Sequence, residues 1–96
     1  MSEKNVAVIR LLAGKVQGEQ ADKDGDVLAR YYSDNGADEI LVFDLSDTDA
    51  DHDLSIGALK EICRAVEVPV KAGGRIKRLE DVKKILYAGC EKVILN

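Results

Sequence analysis

Near-continuous apolar runs alternate along the chain with apolar residues at helical spacing. Asn5 to Leu12, with Val6, Ala7, Val8, Ile9, Leu11 and Leu12, has the pattern of a strand buried on both faces. Gly14 to Asp26 is polar, lacks periodicity and reads as a long loop, a length more often functional than ordinary. Val27, Leu28, Tyr31 and Tyr32 then mark a helix, with Asp26 as its N-cap and Asn35-Gly36 as its stop. Glu39 to Leu45 is a second buried strand, followed by an acidic loop from Ser46 to Asp53, with Asp53 as the cap of the next helix. Leu59, Ile62, Cys63 and Val66 lie on one face of that helix. A third strand starts at Val68-Pro69-Val70, where the lone proline sits at a position that tolerates a missing N–H, and it ends at Gly73-Gly74. Leu79, Val82, Ile85 and Leu86 predict a third helix that stops at Gly89, and Glu91 to Asn96 a fourth strand.

Four strands alternating with three helices in one sheet require parallel pairing and right-handed crossovers, so the fold class is α/β. The chain also repeats itself. Gly36-Ala37-Asp38-Glu39-Ile40-Leu41-Val42 matches Gly89-Cys90-Glu91-Lys92-Val93-Ile94-Leu95 at an offset of 53 residues, from 36 to 89, and a helix precedes each copy. A duplicated βαβ unit accounts for this pattern.

The 96 residues suffice for one domain over 1–96 but fall far short of the roughly 250 of a complete (β/α)8 barrel. With four per cent aromatic residues and no Trp, the core must be built from Val, Ile, Leu and Ala. A net charge of −4 argues against nucleic acid or an anionic membrane surface as partner. Cys63 and Cys90 fall on different elements without metal-ligand spacing, and they read as small core residues of a reducing cytosol. Neither a metal nor a cofactor is indicated. No apolar run reaches the length of a membrane span and the start lacks signal-peptide layout, so a cytoplasmic location is expected.

Ligands of parallel α/β sheets bind at the carboxyl ends of the strands. Four of the 14 basic residues crowd into Lys71-Ala72-Gly73-Gly74-Arg75-Ile76-Lys77-Arg78. Two glycines admit close backbone approach and the following helix offers free N–H groups, which suits a phosphate, although a tight turn with solvated cations fits the same pattern. Asp47-Thr48-Asp49-Ala50-Asp51 imitates a calcium loop, but His52 at its sixth position and Ala58 at its twelfth exclude an EF-hand. His52, among aspartates, reads as a surface residue. Asp44 either faces a pocket or caps the next turn. Arg10 interrupts an apolar strand and needs a partner or a ligand, which Asp44 on the neighbouring strand is placed to supply. Arg10, Asp44 and Ser46 are therefore the candidate pocket residues.

Asp24 to Asp44, with Leu-Ala-Arg-Tyr-Tyr-Ser-Asp-Asn-Gly-Ala-Asp-Glu-Ile-Leu-Val-Phe-Asp, and Pro69 to Asn96, with Lys-Ala-Gly-Gly-Arg and Val-Ile-Leu-Asn, resemble the N-terminal half of the histidine-biosynthesis (β/α)8 barrels. That family includes the cyclase subunit of imidazole glycerol phosphate synthase and phosphoribosylformimino aminoimidazole carboxamide ribotide isomerase. The wording is especially similar to the barrel-like N-terminal domain of long-form fused phosphoribosyl-AMP cyclohydrolase/phosphoribosyl-ATP pyrophosphatase. The resemblance implies that Gly73, Gly74 and Asn96 belong to turns that hold a phosphate, and that Asp44 matches the aspartate after strand two. It also exposes departures. Arg10 stands where the family has its strand-one catalytic aspartate, and Gln17 or Gly18 stands where the cyclase has a lysine. Arg75 replaces the third glycine of the phosphate turn, and Arg78 replaces the usual Ser cap. The family's second catalytic aspartate lies in the other half of the barrel. Acid–base catalysis needs two positioned groups, so no catalytic residue is assigned and activity alone is not expected.

A half-barrel exposes two strand edges and a bare inner face. Pairing of two or more copies, docking of a C-terminal half, or reordering into a flavodoxin-like doubly wound sheet would each cover them. The expected function is a catalytically incomplete half-barrel that self-associates and binds a phosphate or phosphoribosyl group through Gly73, Gly74, Arg75 and Asn96. The alternatives are part of an active cyclase- or isomerase-type enzyme joined to a complementary half, and an excised or engineered assembly fragment.

Overall fold

The apolar runs pair as a parallel ladder in the order in which they occur. A computed structural model describes residues 3–74 together with Lys83, Tyr87, Gly89, Lys92 and Val93. Its strands are β1 (Val6–Leu12), β2 (Lys15–Val16), β3 (Glu39–Asp44), β4 (Val70–Gly74) and β5 (Lys92–Val93), and its helices are α1 (Gly25–Asp34) and α2 (Asp49–Ala65). The strands form one sheet in the order β2-β1-β3-β4-β5, parallel except for the short antiparallel β1–β2 pair. Each parallel strand therefore lies beside its successor. The expected third helix and most of the fourth strand lie outside the described residues.

Both helices cover the same side of the sheet. Ile9 and Leu11 of β1, Ile40 and Val42 of β3, and Val70 and Ala72 of β4 form one cluster with Leu28 and Ala29 of α1 and Leu59 and Ile62 of α2. Burial of each large side chain in that layer contributes about 2 kcal/mol. Alternate strand residues project from the opposite face, which neither α1 nor α2 covers. Val6 there is 42% exposed and Leu12 39% exposed. The first strand is thus buried on one face rather than on both. Successive strands lying side by side, with their helices packed on one face, are the singly wound arrangement of a (β/α) barrel. A flavodoxin-like sheet places its first strand between its second and third and has helices on both faces, so that alternative is excluded.

The boundaries follow local chemistry. α2 begins earlier than expected because Thr48, not Asp53, is its N-cap, its Oγ1 accepting from Asp51 N at 3.1 Å. The acidic stretch forms the first turn of the helix, where Asp49 and Asp51 face the positive end of its dipole. Asp26 likewise lies inside the first turn of α1, whose N-cap position is taken by Asp24 without a side-chain cap bond. The long loop hides β2, a hairpin in which Ala13 (φ +52) and Gly14 (φ +78) turn the chain so that Gln17 N donates to Arg10 O at 2.9 Å. Among the described residues, no helix is long and apolar enough to cross a membrane.

The internal repeat is conformational as well as textual. Gly36 after α1 and Gly89 have φ of +97 and +98, the same left-handed backbone conformation. Gly74 (φ +104) is more constrained, because a Cβ there would lie 2.2 Å from Asp44 O. Strain and overlap should together cost Gly74→Ala about 3 kcal/mol. Gly36→Ala, with open space around it, should cost only about 1 kcal/mol. Urea denaturation of the two variants checks this ranking.

Candidate functional site

The carboxyl end of the sheet offers two separate environments, one on each face. Asp44 ends β3 in register with Leu11 and Gly74, on the helix-covered side. Its Oδ1 accepts from Ser46 N at 3.0 Å and its Oδ2 is bonded to Nδ1 of His52. His52 is only 2% exposed. It is therefore a core residue and not the surface histidine its acidic neighbours suggested. The Thr48 cap puts His52 and Ser55 on the same stripe of α2 as Leu59 and Ile62, which turns both toward the sheet. Ser46 Oγ accepts from Ala13 N at 3.1 Å, Ser55 Oγ accepts from Gly14 N at 2.9 Å, and the two hydroxyls are 3.3 Å apart.

Asp, His and Ser side by side resemble a nucleophilic constellation, but the surroundings do not. Ser55 Oγ is buried and committed to Gly14 and Ser46, and the cavity beside Asp44, His52, Ser55 and Gly73 holds only about 10 Å³, room for one water. This network latches the β1–β2 hairpin and the β3–α2 connection to each other. Asp44 caps the next turn through Ser46 N and also lines the small cavity.

The opposite face is different. Arg10, Phe43 and Gly73 form one row across β1, β3 and β4. Arg10 is exposed, and because it and Asp44 project from opposite faces, the expected pairing between them does not occur. Gly73 contributes only backbone to this row. At the amino end of the same face, Glu39 lies between Lys71 Nζ at 2.7 Å and Lys4 Nζ at 3.0 Å. Hydrogen bonds from Lys71, then from Lys4, outweigh desolvation and hold the Glu39 carboxyl below its ordinary range. The only signal of this cluster in the sequence was a charged residue opening an apolar strand.

The candidate residues thus separate. Arg10 and Gly73 share the open face, Asp44 and Ser46 belong to the covered one, and Gly74 packs against the Asp44 backbone. Arg75 and Asn96 lie outside the described residues. Among the described residues, no group of three or more His, Cys, Asp or Glu side chains is arranged to hold a metal ion.

A sequential parallel sheet with helices on one face, and with its carboxyl ends opening onto the other, is part of a (β/α) barrel. Residues 4–96 match the family model described as histidine biosynthesis protein, and the chain belongs to that family. It is 39% identical over 69 residues to imidazole glycerol phosphate synthase subunit HisF of Staphylococcus epidermidis, a match covering 72% of this chain and 27% of that protein. The HisF subunit of Methanocaldococcus jannaschii is also 39% identical over 69 residues, 72% of this chain and 25% of its own. That of Dictyoglomus thermophilum is 38% identical over 73 residues, 76% of this chain and 29% of its own. The aligned part spans between a quarter and a third of these relatives.

Two measurements check this account. Removing the Ser55 hydroxyl strands the Gly14 N–H, so Ser55→Ala should lower unfolding free energy by about 1–2 kcal/mol in chemical denaturation. Because the folded-state pKa of Glu39 is depressed, its contribution to stability is present above the ordinary carboxylate pKa and is lost as pH falls through the lowered value. In acid titration followed by circular dichroism, Lys71→Met should move the onset of that loss to higher pH.

Proposed function

We propose that this chain is a catalytically incomplete half-barrel that binds a phosphate or phosphoribosyl group and completes its barrel with a second copy of itself. One observation carries the reading: the inner face of the sheet is left open by the described helices and presents an exposed Arg10 where the resemblance to the histidine-biosynthesis barrels implies a catalytic carboxylate. A lone cation there cannot act as general base, so cyclase or isomerase turnover is not expected of the chain alone.

The phosphate site of this reading is the turn after β4, with backbone N–H groups of Gly73 and Gly74 and the side chains of Arg75 and Asn96 around the ligand. Gly73 and the left-handed Gly74 support it, since neither carries a side chain that would stand between the backbone and an oxyanion. Self-association is supported by the edges. Along β1, Leu11 and Leu12 pair with β2 and Arg10 O accepts from Gln17 N, which leaves Val6 to Ile9 without a strand partner on their outer side among the described residues. In a two-copy barrel the fourth parallel strand of one copy pairs with β1 of the other.

A second reading is favoured by length. The relatives are more than three times longer than the segment they share with this chain, and in this reading a complementary C-terminal half, joined or separate, occupies the open face. Sedimentation of the chain alone and of the chain mixed with a C-terminal half of a relative separates the two. The first reading predicts a dimer of the chain alone and ribose 5-phosphate-induced shifts of the Gly73 and Gly74 amide resonances. A monomer that joins only the added half, with turnover appearing in the mixture, would replace it with the second.

A further inference from the structure

The charges on the open face are unequally matched, and the imbalance falls at one residue. Glu39 at the amino end already serves two cations, Lys71 at 2.7 Å and Lys4 at 3.0 Å. Asp44, the other carboxylate of β3, projects from the opposite face and is bonded to His52. Neither reaches Arg10. The Arg10 guanidinium makes no ion pair or side-chain hydrogen bond among the described residues, although Glu19 lines the same 240 Å³ cavity at the β1 edge. Its row continues across Phe43 to Gly73, and neither residue carries a charge that could pair with the guanidinium. In the open half-barrel the charge is hydrated and costs nothing. Closure changes this, because a guanidinium enclosed without a counter-ion loses its hydration with nothing in return.

We infer that Arg10 is an anion-binding residue that couples ligand to assembly: two copies close around a phosphate-type oxyanion held by the Arg10 side chains that both contribute to the common interior. This rests on the self-association and phosphate binding proposed above, and adds to them the residue and the linkage. The planar fork of the guanidinium suits a tetrahedral oxyanion through paired N–H donors. A site on Arg10 lies on the inner face, apart from the backbone turn at Gly73 and Gly74. An oxyanion bound only by the closed form stabilises that form by mass action, so association becomes phosphate-dependent.

Sedimentation equilibrium of the full chain, with and without inorganic phosphate at constant ionic strength, tests the linkage, with the Arg10→Gln and Arg10→Lys variants alongside. Arg10 is exposed, so both variants are expected to fold, and circular dichroism verifies it. Phosphate should tighten dimerisation of the parent about tenfold. Arg10→Lys should keep a response. Arg10→Gln should dimerise more readily than the parent without phosphate and respond less than about twofold to its addition. An equal response in the parent and Arg10→Gln would overturn the role of Arg10 while leaving phosphate binding and self-association standing. Phosphate-independent dimerisation of the parent would overturn the linkage, and would point to Glu19 or another carboxylate as the counter-ion. A parent that stays monomeric throughout would overturn both the linkage and the self-association beneath it.

Discussion

One-sided burial of the parallel sheet is the constraint on which the rest of this structure depends. Ile40 and Ile62 are fully buried between sheet and helices, and the right-handed crossovers return each helix to the same side of successive strands. The pleat then assigns every strand residue by parity. Even positions of β3 go to the helix layer and odd positions to the open face, with β1 and β4 in step through the register. Two neighbouring residues at a strand end therefore enter different environments. Phe43 belongs to the uncovered row with Arg10, and Asp44 to a closed polar network with His52.

That network explains how a small aliphatic core holds an ordered carboxyl end. Asp44, Ser46, His52 and Ser55 bind one another and the amides of Ala13 and Gly14, so the hairpin after β1 and the connection after β3 are fixed together. Buried polar groups of this kind are tolerated because they satisfy one another, and removing one strands its partner. The close approach of Gly74 to the Asp44 backbone extends the same arrangement to β4. The turn expected to meet a phosphate is thus anchored to a structural core beneath it. A glycine there answers a packing requirement whether or not a ligand is bound.

Membership in the histidine-biosynthesis family and the charge pattern of the open face bear on each other. The face has the geometry of a barrel interior, yet its strand-one position carries a guanidinium. Among the described residues its buried carboxylate, Glu39, sits at the amino end between two lysines. A permanently protonated guanidinium does not serve as a general base, whereas it suits binding of an anion. The family's scaffold thus carries a guanidinium at the end of its first strand.

Much of the architecture was legible in the chain because it rests on short-range signals. Apolar runs located β1, β3 and β4, and Gly36 and Gly89, equivalent in the repeat, have φ angles that agree. Alternating elements implied parallel pairing, and the motifs around Gly73 and Gly36 implied the family. What the sequence could not supply was sidedness. The β2 hairpin is two residues long and has no periodicity to read, and Thr48 rather than Asp53 caps α2 because cap choice depends on where the chain leaves β3. That shift of the helix start turned His52 from a presumed surface group into a core residue, and only the register could show that Arg10 and Asp44 lie on opposite faces of the sheet. Composition and spacing determined which elements form. Tertiary packing decided which face each polar side chain joins, because a pleated strand exchanges its two faces with a shift of one residue.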